Sequence, residues 1–349
     1  MTKCAGRPVS LWAGAGDDAN HDLWVVVLAG GQGLRLREFI QTVLEGNRPK
    51  QFCRIIGTRS MLRHTWDRAR CLVPEQRIVT VVTAGQERYL ADEVRDGLPG
   101  RVLVQPANRE TAPGLLLPLL WIARRAPRAM VAVFPADHFI WEEARFLEAV
   151  GSAVAAGRSH QERVILLGME AQAPETSYGW IAPGPPVAEG SGDDDLFSVQ
   201  GFWEKPPLER ARQLRAAGCF WNSLVMAGRL PAFLGLMEAH LPEPLEILRE
   251  ASTRFDTAAE PAAMTLAYQR LRPADFSREV LQPGREGLLV RPARGVTWCD
   301  WGRPERILRT VHQFDRQPCW LPGLLKSGFA SREWFATASC ATPAAGGEV

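Results

Sequence analysis

The sequence predicts an α/β protein built on a doubly wound, mainly parallel (Rossmann-like) sheet that is flanked by helices. Two observations support this prediction. Short apolar, β-branched runs of strand length alternate with segments whose apolar residues have helical spacing. The runs are also nearly continuous in hydrophobicity, which is typical of strands buried on both faces. Regular alternation of this kind indicates parallel strands joined by crossover helices.

The first half of the chain supplies the alternating elements. The pattern predicts strands over residues 25–28, 77–83, 102–105, 130–134 and 164–167. It predicts helices over residues 61–71, 86–95, 115–125 and 142–156. Ser60 offers an N-cap hydroxyl to the first of these helices. Ligands of open α/β sheets bind at the carboxyl ends of the strands, so functional residues are expected there.

The pattern changes from Tyr178 onward. Proline and glycine cluster at 183–190, and strand-like pieces over 196–203 and 224–227 flank a helix over 208–217. Residues 233–272 read as helical with breaks at Pro242 and Pro261, residues 294–301 as a strand and a turn, and Pro304 as the first residue of a helix to 314. We expect one domain over 23–313, with halves 23–170 and 171–313. The second half continues the sheet and adds a smaller α+β portion. Residues 1–22 are expected to form a disordered tail, and 314–349 an extension and tail.

The composition is that of an ordinary globular protein, with 46% hydrophobic and 23% charged residues among 349. A net charge of +2 provides no extended field for nucleic acid or a membrane surface, so neither is an expected partner and anion binding has to be local. Seven cysteines without a C-x-x-C pair favour reduced thiols in a cytoplasmic protein. No apolar run approaches the ~20 residues of a membrane span, and residues 1–22 lack the apolar core of a signal peptide. The sequence leaves a homo-oligomer open.

A glycine-rich turn follows the first strand. Gly30, Gly31 and Gly33 come directly after Leu28-Ala29, and four basic residues stand nearby: Arg35, Arg37, Arg48 and Lys50. Backbone N–H groups exposed by such a turn suit phosphate oxygens, and the basic residues, above all Arg-Pro-Lys-Gln-Phe at 48–52, favour that interpretation. The alternative is an ordinary strand-to-helix turn with solvated charges.

Two carboxylates follow predicted strands. Asp137 lies in Phe-Pro-Ala-Asp-His at 134–138, and Asp300 in Trp-Cys-Asp-Trp-Gly at 298–302. A desolvated carboxylate without a partner is costly, and Mg²⁺ commonly takes one or two protein carboxylates together with phosphate oxygens. A helix N-cap for Asp137 and a turn for Asp300 are the alternatives.

These segments together resemble the sugar-1-phosphate nucleotidyltransferase family, in its mannose-1-phosphate guanylyltransferase branch. The resemblance rests on A-G-G-x-G-x-R-L and R-P-K-Q-F, on N-R-x-T-A-P at 108–113, on P-x-D-H and on W-x-D-x-G, and it spans about residues 23–313. Three residues depart from the usual pattern. Leu34 replaces a small hydroxyl residue, Glu38 a common proline, and Glu110 a residue that is often small.

The resemblance implies a role for each motif, with 23–170 as the nucleotide-binding half and 171–313 as the half that covers the sugar-phosphate acceptor. Catalysis would involve Arg35, Lys50, Asp137 and Lys205. The nucleotide would contact Leu28, Ala29, Gly30, Gly31, Gly33, Arg35, Asn108, Thr111 and Ala112. The sugar phosphate would contact Gly179, Glu204, Lys205 and Asn222, which stand in Y-G-W-I, E-K-P and W-N-S segments that are individually weak signals. Asp137 and Asp300 would hold Mg²⁺ (or Mn²⁺).

The reaction expected from this resemblance is attack by a sugar-1-phosphate oxygen on the α-phosphorus of a nucleoside triphosphate, most simply GTP with α-D-mannose 1-phosphate. A phosphate monoester is largely ionised near neutral pH, which fits a sequence without a recognisable nucleophile–base arrangement. Three alternatives remain. They are another nucleotide and sugar phosphate, a non-catalytic sugar-nucleotide sensor on the same fold, and a nicotinamide oxidoreductase. The oxidoreductase would need G-x-G-x-x-G, whereas Leu36 stands at the last position.

Overall fold

The structure, a computed structural model, describes residues 21–44, 46–93, 97–187 and 195–326. Its strands are β1 Leu23–Leu28, β2 Ile78–Thr83, β3 Arg101–Gln105, β4 Met130–Pro135, β5 Phe139–Ile140, β6 Val164–Glu170, β7 Gly179–Pro186, β8 Phe197–Glu204, β9 Phe220–Arg229, β10 Leu288–Ala293 and β11 Trp298–Cys299. Its α-helices are α1 Arg37–Val43, α2 Met61–Arg70, α3 Glu87–Leu90, α4 Thr111–Ala123, α5 Glu143–Ser159, α6 Leu208–Ala216, α7 Leu230–His240, α8 Pro242–Ser252, α9 Glu260–Arg270, α10 Pro304–Gln313 and α11 Leu321–Lys326.

One mixed sheet runs through the described residues in the order β3-β2-β1-β4-β9-β6-β10-β8-β7. Strands β1 to β4 are mutually parallel, and β6 and β10 form a second parallel pair. The long strand β9 lies antiparallel between β4 and β6, and β8 is antiparallel to β10 and β7. Since only β8 and β9 oppose the common direction, the predicted mainly parallel α/β class is confirmed.

Apolar side chains cover both faces of this sheet. One core packs α4 and α7 to α9 on the face that includes Val26, Val133 and Met226, and the other packs α2 and α5 on the face that includes Val25 and Ala132. Neighbouring residues of one strand thus enter opposite cores, as the strand pleat requires. A third core joins α1, α10 and Trp320 beside the two-stranded β5–β11 sheet.

Several predicted elements differ from the observed ones. The pattern did not predict β7, because its sequence is GWIAPGPP, and it did not predict β10. The strand and turn expected over 294–301 are observed in the opposite order, as a turn at 294–295 followed by the two-residue β11. The predicted helix over 86–95 is the short α3 followed by a 3₁₀ turn to Glu93, and residues 94–96 lie outside the described part. Most of the predicted tails, 1–20 and 327–349, also lies outside it. None of the described helices has both the length and the apolar character needed to cross a membrane.

Candidate active site

The glycine-rich turn after β1 is held by its carbonyl groups. The amide of Gln51 donates to the carbonyls of Ala29 (2.5 Å) and Gly31 (2.8 Å). Thr83 at the end of β2 donates to the carbonyl of Gly30 (2.8 Å), and Gln86 also donates to that of Gly31 (3.0 Å). These contacts fix three consecutive carbonyls on the protein side of the loop.

The loop's amides remain available. The backbone N–H groups of Gly30, Gly31 and Gln32 donate to no other described residue. A side chain on Gly31 would meet nothing within 4 Å, so the space above it is open, whereas Gly33 has a left-handed φ of 60° and lies against the backbone of Lys50. A pre-ordered turn with free N–H groups beside open space is the arrangement that binds phosphate oxygens.

Lys50 brings both predicted metal ligands together. It begins the 3₁₀ turn Lys50–Phe52, its side chain is 6% exposed, and its ammonium nitrogen lies 2.9 Å from Oδ2 of Asp137. The same ammonium donates to the backbone carbonyl of Asp300. Burial alone would raise the pKa of Asp137, but the charge and hydrogen bond of Lys50, together with the neighbouring His138, outweigh burial and lower it. The Asp137 side chain stays 39% exposed, so this carboxylate can also reach a ligand.

Asp300 is tied down on one side only. Its Oδ1 accepts hydrogen bonds from Tyr178 (3.0 Å), the amide of Gly302 (2.9 Å) and the guanidinium of Arg306 (2.6 Å). Burial acts to raise the pKa of Asp300, but the charges of Arg306 and Lys50, the hydrogen bond from Gly302 and the neighbouring His138 together outweigh burial and lower it, so the group is an anion at neutral pH. Its Oδ2 accepts no hydrogen bond from the described residues.

His138 is a packing residue in this structure. Its Nδ1 accepts from the indole N–H of Trp298 (3.2 Å), whose ring it meets edge-on, and its Nε2 lies 3.7 Å from Oδ1 of Asp137. Burial lowers the pKa of His138, which favours the neutral imidazole. Because Nδ1 accepts from Trp298, the proton of the neutral ring lies on Nε2, next to the Asp137 oxygen that Lys50 does not contact.

The predicted sugar residues form one row across three strands. Gly179 of β7 is paired with Glu204 of β8 on one side and with Asn222 of β9 on the other. A Cβ atom on Gly179 would lie 2.8 Å from Oε2 of Glu204 and 3.1 Å from Cβ of Asn222, so only glycine leaves this row uncrowded. Tyr178 and Gly179 are adjacent in sequence, and Tyr178 contacts Asp300, so the row lies next to the Lys50 cluster.

Glu204 has an unusual environment. Its side chain is 7% exposed, Oε1 pairs with Lys205 at 2.8 Å, and Oε2 is buried without a hydrogen-bond partner in the described residues. Burial raises the pKa of Glu204, and Lys205 offsets only part of that effect. Lys205 is 44% exposed and has a left-handed φ of 52°. The third polar residue of this group, Asn222, donates from its side-chain amide to the hydroxyl of Ser277 (3.4 Å).

The segment after β3 docks against residues 274–276. The hydroxyl of Thr111 accepts from the amide of Phe276 (2.8 Å), and the amide of Ala112 donates to the carbonyl of Ala274 (3.0 Å). Asn108 is exposed and accepts from the amide of Glu110 (2.8 Å), which has a φ of 67°. Asn108, Glu110 and Thr111 are exposed at the start of α4, whereas Ala112 is buried. Gln105 connects this segment to the glycine loop, because it contacts Thr83 and would block a side chain on Gly30.

The structure thus places the predicted residues in two adjacent groups. The glycine turn, Lys50, Asp137 and Asp300 form the first, and Gly179, Glu204, Lys205 and Asn222 form the second. Leu28 lies at the end of β1, and Arg35 is exposed on the 3₁₀ turn Leu34–Leu36 without an ion pair to a described residue. Sequence reasoning missed Thr83, Gln86, Gln105 and Tyr178 as supports, and above all Arg306. A polar residue at the end of a buried strand was the available signal for Thr83 and Gln105.

Comparison with known proteins gives one family match. Residues 24–317 match the nucleotidyl transferase family. The xanthan biosynthesis protein XanB of Xanthomonas campestris pv. campestris (strain B100) is 32% identical over 262 residues, which are 74% of this chain and 50% of that protein. The mannose-1-phosphate guanylyltransferase of Escherichia coli (strain K12) is 32% identical over 244 residues, 68% of this chain and 49% of that protein. The chain spans about half the length of these curated relatives.

Solved structures share the fold. The protein described as mannose-1-phosphate geranyltransferase from Thermus thermophilus matches with a TM-score of 0.68 at 28% identity, over 85% of this chain and 80% of that chain. The mannose-6-phosphate isomerase from Helicobacter pylori matches with a TM-score of 0.62 over 80% of this chain and 99% of that chain. At 18% identity the second match indicates a common fold alone.

Proposed function

The chain belongs to the nucleotidyl transferase family, and we propose that it transfers a nucleotidyl group from a nucleoside triphosphate to a sugar 1-phosphate and releases pyrophosphate. The substrates we propose are GTP and α-D-mannose 1-phosphate, with GDP-mannose as the product. One observation carries the proposal. Tyr178 donates a hydrogen bond to Asp300 of the first group, and the next residue, Gly179, lies between Glu204 and Asn222 of the second group. A site suited to phosphate and a row of polar side chains are therefore adjacent.

The first group of residues suits the triphosphate. Free amides of Gly30 and Gly31 would donate to the phosphate oxygens, and Arg35 is free of competing ion pairs with the described residues. Lys50 is buried and fixed between Asp137 and the carbonyl of Asp300, so its charge is oriented before any ligand binds. Preorganised charge of this kind stabilises a developing phosphoryl charge because little reorganisation is needed during the reaction.

The second group suits the sugar phosphate. Hydroxyl groups present a donor and an acceptor together, and the unpartnered Oε2 of Glu204 would accept a hydrogen bond while Asn222 offers both kinds of atom. Lys205, which is partly exposed, would pair with the phosphate of the sugar. The phosphate oxygen of the sugar is itself the nucleophile, so the protein needs to position two anions and neutralise their repulsion.

We also propose that Asp137 and Asp300 hold Mg²⁺ (or Mn²⁺). The donor set fits, because Asp137 is partly exposed and Oδ2 of Asp300 has no hydrogen-bond donor among the described residues. The described residues contain no cluster of three or more metal-ligating side chains, which matches an ion that completes its shell with phosphates and water. The bound ion would neutralise charge on the α-phosphoryl group and the leaving pyrophosphate.

The substrate pair is tested by a pyrophosphate-release screen of GTP, ATP, UTP and CTP against mannose 1-phosphate and glucose 1-phosphate. We expect the highest kcat/KM for GTP with mannose 1-phosphate, in line with the relatives that carry the guanylyltransferase name. A preference for UTP or for glucose 1-phosphate would contradict the assignment to the mannose-1-phosphate guanylyltransferase branch, while nucleotidyl transfer itself would still be supported. Binding of a sugar nucleotide without any release of pyrophosphate would replace the enzyme by a sensor.

The metal proposal has its own test. Asp137→Asn and Asp300→Asn should each remove most turnover while far-UV circular dichroism stays unchanged, and EDTA should have the same effect on the wild type. Isothermal titration of Mn²⁺ onto the protein with GTP should show weaker binding in both variants. Turnover that survives chelation and both substitutions would contradict the assignment.

The sugar row is tested by Glu204→Ala and Asn222→Ala. A site that hydrogen-bonds a substrate hydroxyl discriminates strongly when its own polar groups lose their partner, so each change should raise the KM for the sugar phosphate by about tenfold or more. The KM for GTP should change by less than about twofold. Glu209→Ala, which removes a solvent-exposed carboxylate on α6, is the matched control. Equal increases in both KM values would move Glu204 and Asn222 out of the sugar site.

A further inference from the structure

Arg306 on α10 contacts Asp300 of the first group of site residues and the segment that leads to Gly179 of the second group. Its side chain is only 5% exposed, and its NH1 donates to Oδ1 of Asp300 at 2.6 Å. Its NH2 donates to Oε2 of Glu175 and to the hydroxyl of Ser177, each at 2.5 Å. The guanidinium also lies 4.3 Å from the centre of the Tyr178 ring. The buried guanidinium of Arg306 therefore contacts Asp300, one of the two proposed metal ligands, and three residues of the segment that leads into β7.

We propose that Arg306 is a positioning residue that couples the Asp137–Asp300 site to the sugar row, an inference that rests on the proposed nucleotidyl transfer. The two terminal nitrogens of its guanidinium, NH1 and NH2, have different roles. NH1 holds Oδ1 of Asp300 and leaves Oδ2 as the oxygen that faces a metal or substrate. NH2 holds residues 175–177, whose position sets where Tyr178 and Gly179 enter the sheet.

The contacts close into a small ring. Tyr178 donates to the same Oδ1 of Asp300 that Arg306 contacts, while its aromatic face lies against the guanidinium. A shift of Asp300 would therefore move Tyr178, and a shift of Tyr178 would move Gly179, against which Glu204 and Asn222 pack. Bidentate geometry of this kind needs a planar fork, so a lysine would keep the charge and lose the coupling.

The carbonyls of the glycine loop make no direct contact with Arg306. They are held by Gln51, Thr83 and Gln86, none of which contacts Arg306. The proposal therefore predicts a selective effect. Loss of Arg306 geometry should weaken binding of the sugar phosphate and of the metal, whereas binding of the nucleoside triphosphate, measured at saturating Mg²⁺, should remain nearly unchanged.

The test compares Arg306→Lys with Arg309→Met. Arg309 is on the same helix, lies 3.9 Å from the other oxygen of Glu175 and is 44% exposed, so it serves as a matched control. A hydrogen bond to a charged group typically contributes enough that its loss changes a binding constant by about tenfold or more. We expect Arg306→Lys to raise the KM for mannose 1-phosphate by about that factor, with the KM for GTP within about twofold. Arg309→Met should leave both unchanged.

A second variant separates the two ends of the guanidinium. Glu175→Gln weakens the contact to residues 175–177 and retains the one to Asp300. It should raise the KM for the sugar phosphate and, through the ring, weaken Mn²⁺ binding measured by isothermal titration by a smaller factor than Arg306→Lys does. Equal increases in the two KM values for Arg306→Lys, or unchanged Mn²⁺ binding in Glu175→Gln, would overturn the coupling.

A measurement without substrate distinguishes this proposal from the proposed function. Backbone amides of residues 175–182 should exchange hydrogen faster in Arg306→Lys than in the wild type, and those of 24–33 should not. Arg309→Met should match the wild type in both segments. If wild-type protein releases no pyrophosphate from any substrate pair, the proposed function fails. The coupling then stands or falls with this exchange pattern, and a uniform increase across both segments would overturn it.

Discussion

The two oxygens of the Glu204 carboxylate have different surroundings, and this difference has a consequence for stability. Oε1 pairs with Lys205, whereas Oε2 is buried without a partner in the described residues. Burial raises the pKa of Glu204, so the folded protein binds the carboxyl proton of Glu204 more tightly than the unfolded chain does. The favourable contribution of Glu204 to stability is therefore greatest below its unfolded pKa and is lost as the pH rises through its folded pKa.

Glu204→Gln should accordingly stabilise the ligand-free protein at pH 7 by about 1 kcal/mol, because a buried carboxylate with one unpartnered oxygen is replaced by a neutral amide. The gain should disappear near pH 4, where the wild-type carboxyl is protonated. Glu279→Gln is the opposite control, since its hydrogen bond to Arg272 lowers the pKa of Glu279 and stabilises the protein above its unfolded pKa. Urea unfolding at both pH values measures the two effects. A loss of stability in Glu204→Gln at pH 7 would contradict the electrostatic argument.

Lys50 and Arg35 carry charge in contrasting environments. Lys50 is buried against Asp137, so Lys50→Ala should lower kcat/KM by about a hundredfold and also destabilise the fold, since it leaves a carboxylate without its partner. Arg35 is exposed, so Arg35→Ala should lower kcat/KM by a similar factor without changing the melting temperature. Arg37→Ala, two residues further on and also exposed, should change neither quantity. A wild-type value of kcat/KM in Arg35→Ala would show that Arg35 is a solvated surface residue without a role in catalysis.

At the scale of elements, two glycines of the turn after β1 have different roles, because Gly33 is needed for folding and Gly31 for binding. Gly33 has a left-handed φ and a Cβ atom there would lie 3.1 Å from the backbone nitrogen of Lys50, whereas a Cβ atom on Gly31 would meet open space. Gly33→Ala should therefore destabilise the protein by about 1 kcal/mol or more. Gly31→Ala should leave the melting temperature unchanged and raise the KM for GTP, because its methyl group would occupy the proposed phosphate space. Destabilisation by Gly31→Ala, or its absence in Gly33→Ala, would show a different loop conformation.

How far the sequence predicts each element depends on where the element lies. Strands β1, β2 and β4 are buried on both faces, and their continuous apolar runs made them predictable. The pattern of β7 contains three prolines, which the sheet tolerates because that part of β7 pairs with β8 alone, so its composition resembles a loop. Helices α8, α9 and α10 each begin with proline in the first turn, which is the position that the breaks at Pro242 and Pro261 and the start at Pro304 indicated.

The candidate site shows the same dependence. Asp137 and Asp300 could be selected from the sequence because each follows a strand, but their partners could not. Lys50 is far from Asp137 in the chain, so only the tertiary fold brings these two charges together. Arg306 is six positions from Asp300, but its other carboxylate partner, Glu175, is 131 positions away. Neither Asp137 nor Asp300 has a lysine or an arginine next to it in the sequence. In the structure Lys50 pairs with Asp137 and Arg306 with Asp300, and this pairing holds both groups ionised.

At the scale of the whole molecule, the two halves of the chain are interleaved in one sheet. Strand β9, from the second half, forms hydrogen bonds with β4 on one side and β6 on the other, and both of those strands come from the first half. Removing either half would therefore expose unpaired strand edges in the middle of the sheet, and each of the two large cores contains residues from both halves. The two halves should consequently unfold together.

Scanning calorimetry with each ligand tests this cooperativity. A ligand at a concentration of about a hundred times its Kd stabilises the state it binds by ~2.7 kcal/mol, which raises the melting temperature by a few degrees for a chain of this size. GTP with Mg²⁺ and mannose 1-phosphate occupy opposite halves in the proposed function, yet each should shift one and the same transition upward. With Glu204→Ala the shift from the sugar phosphate should be lost and the shift from GTP retained. Two transitions, each moved by only one of the ligands, would show that the halves are separate folding units despite the shared sheet.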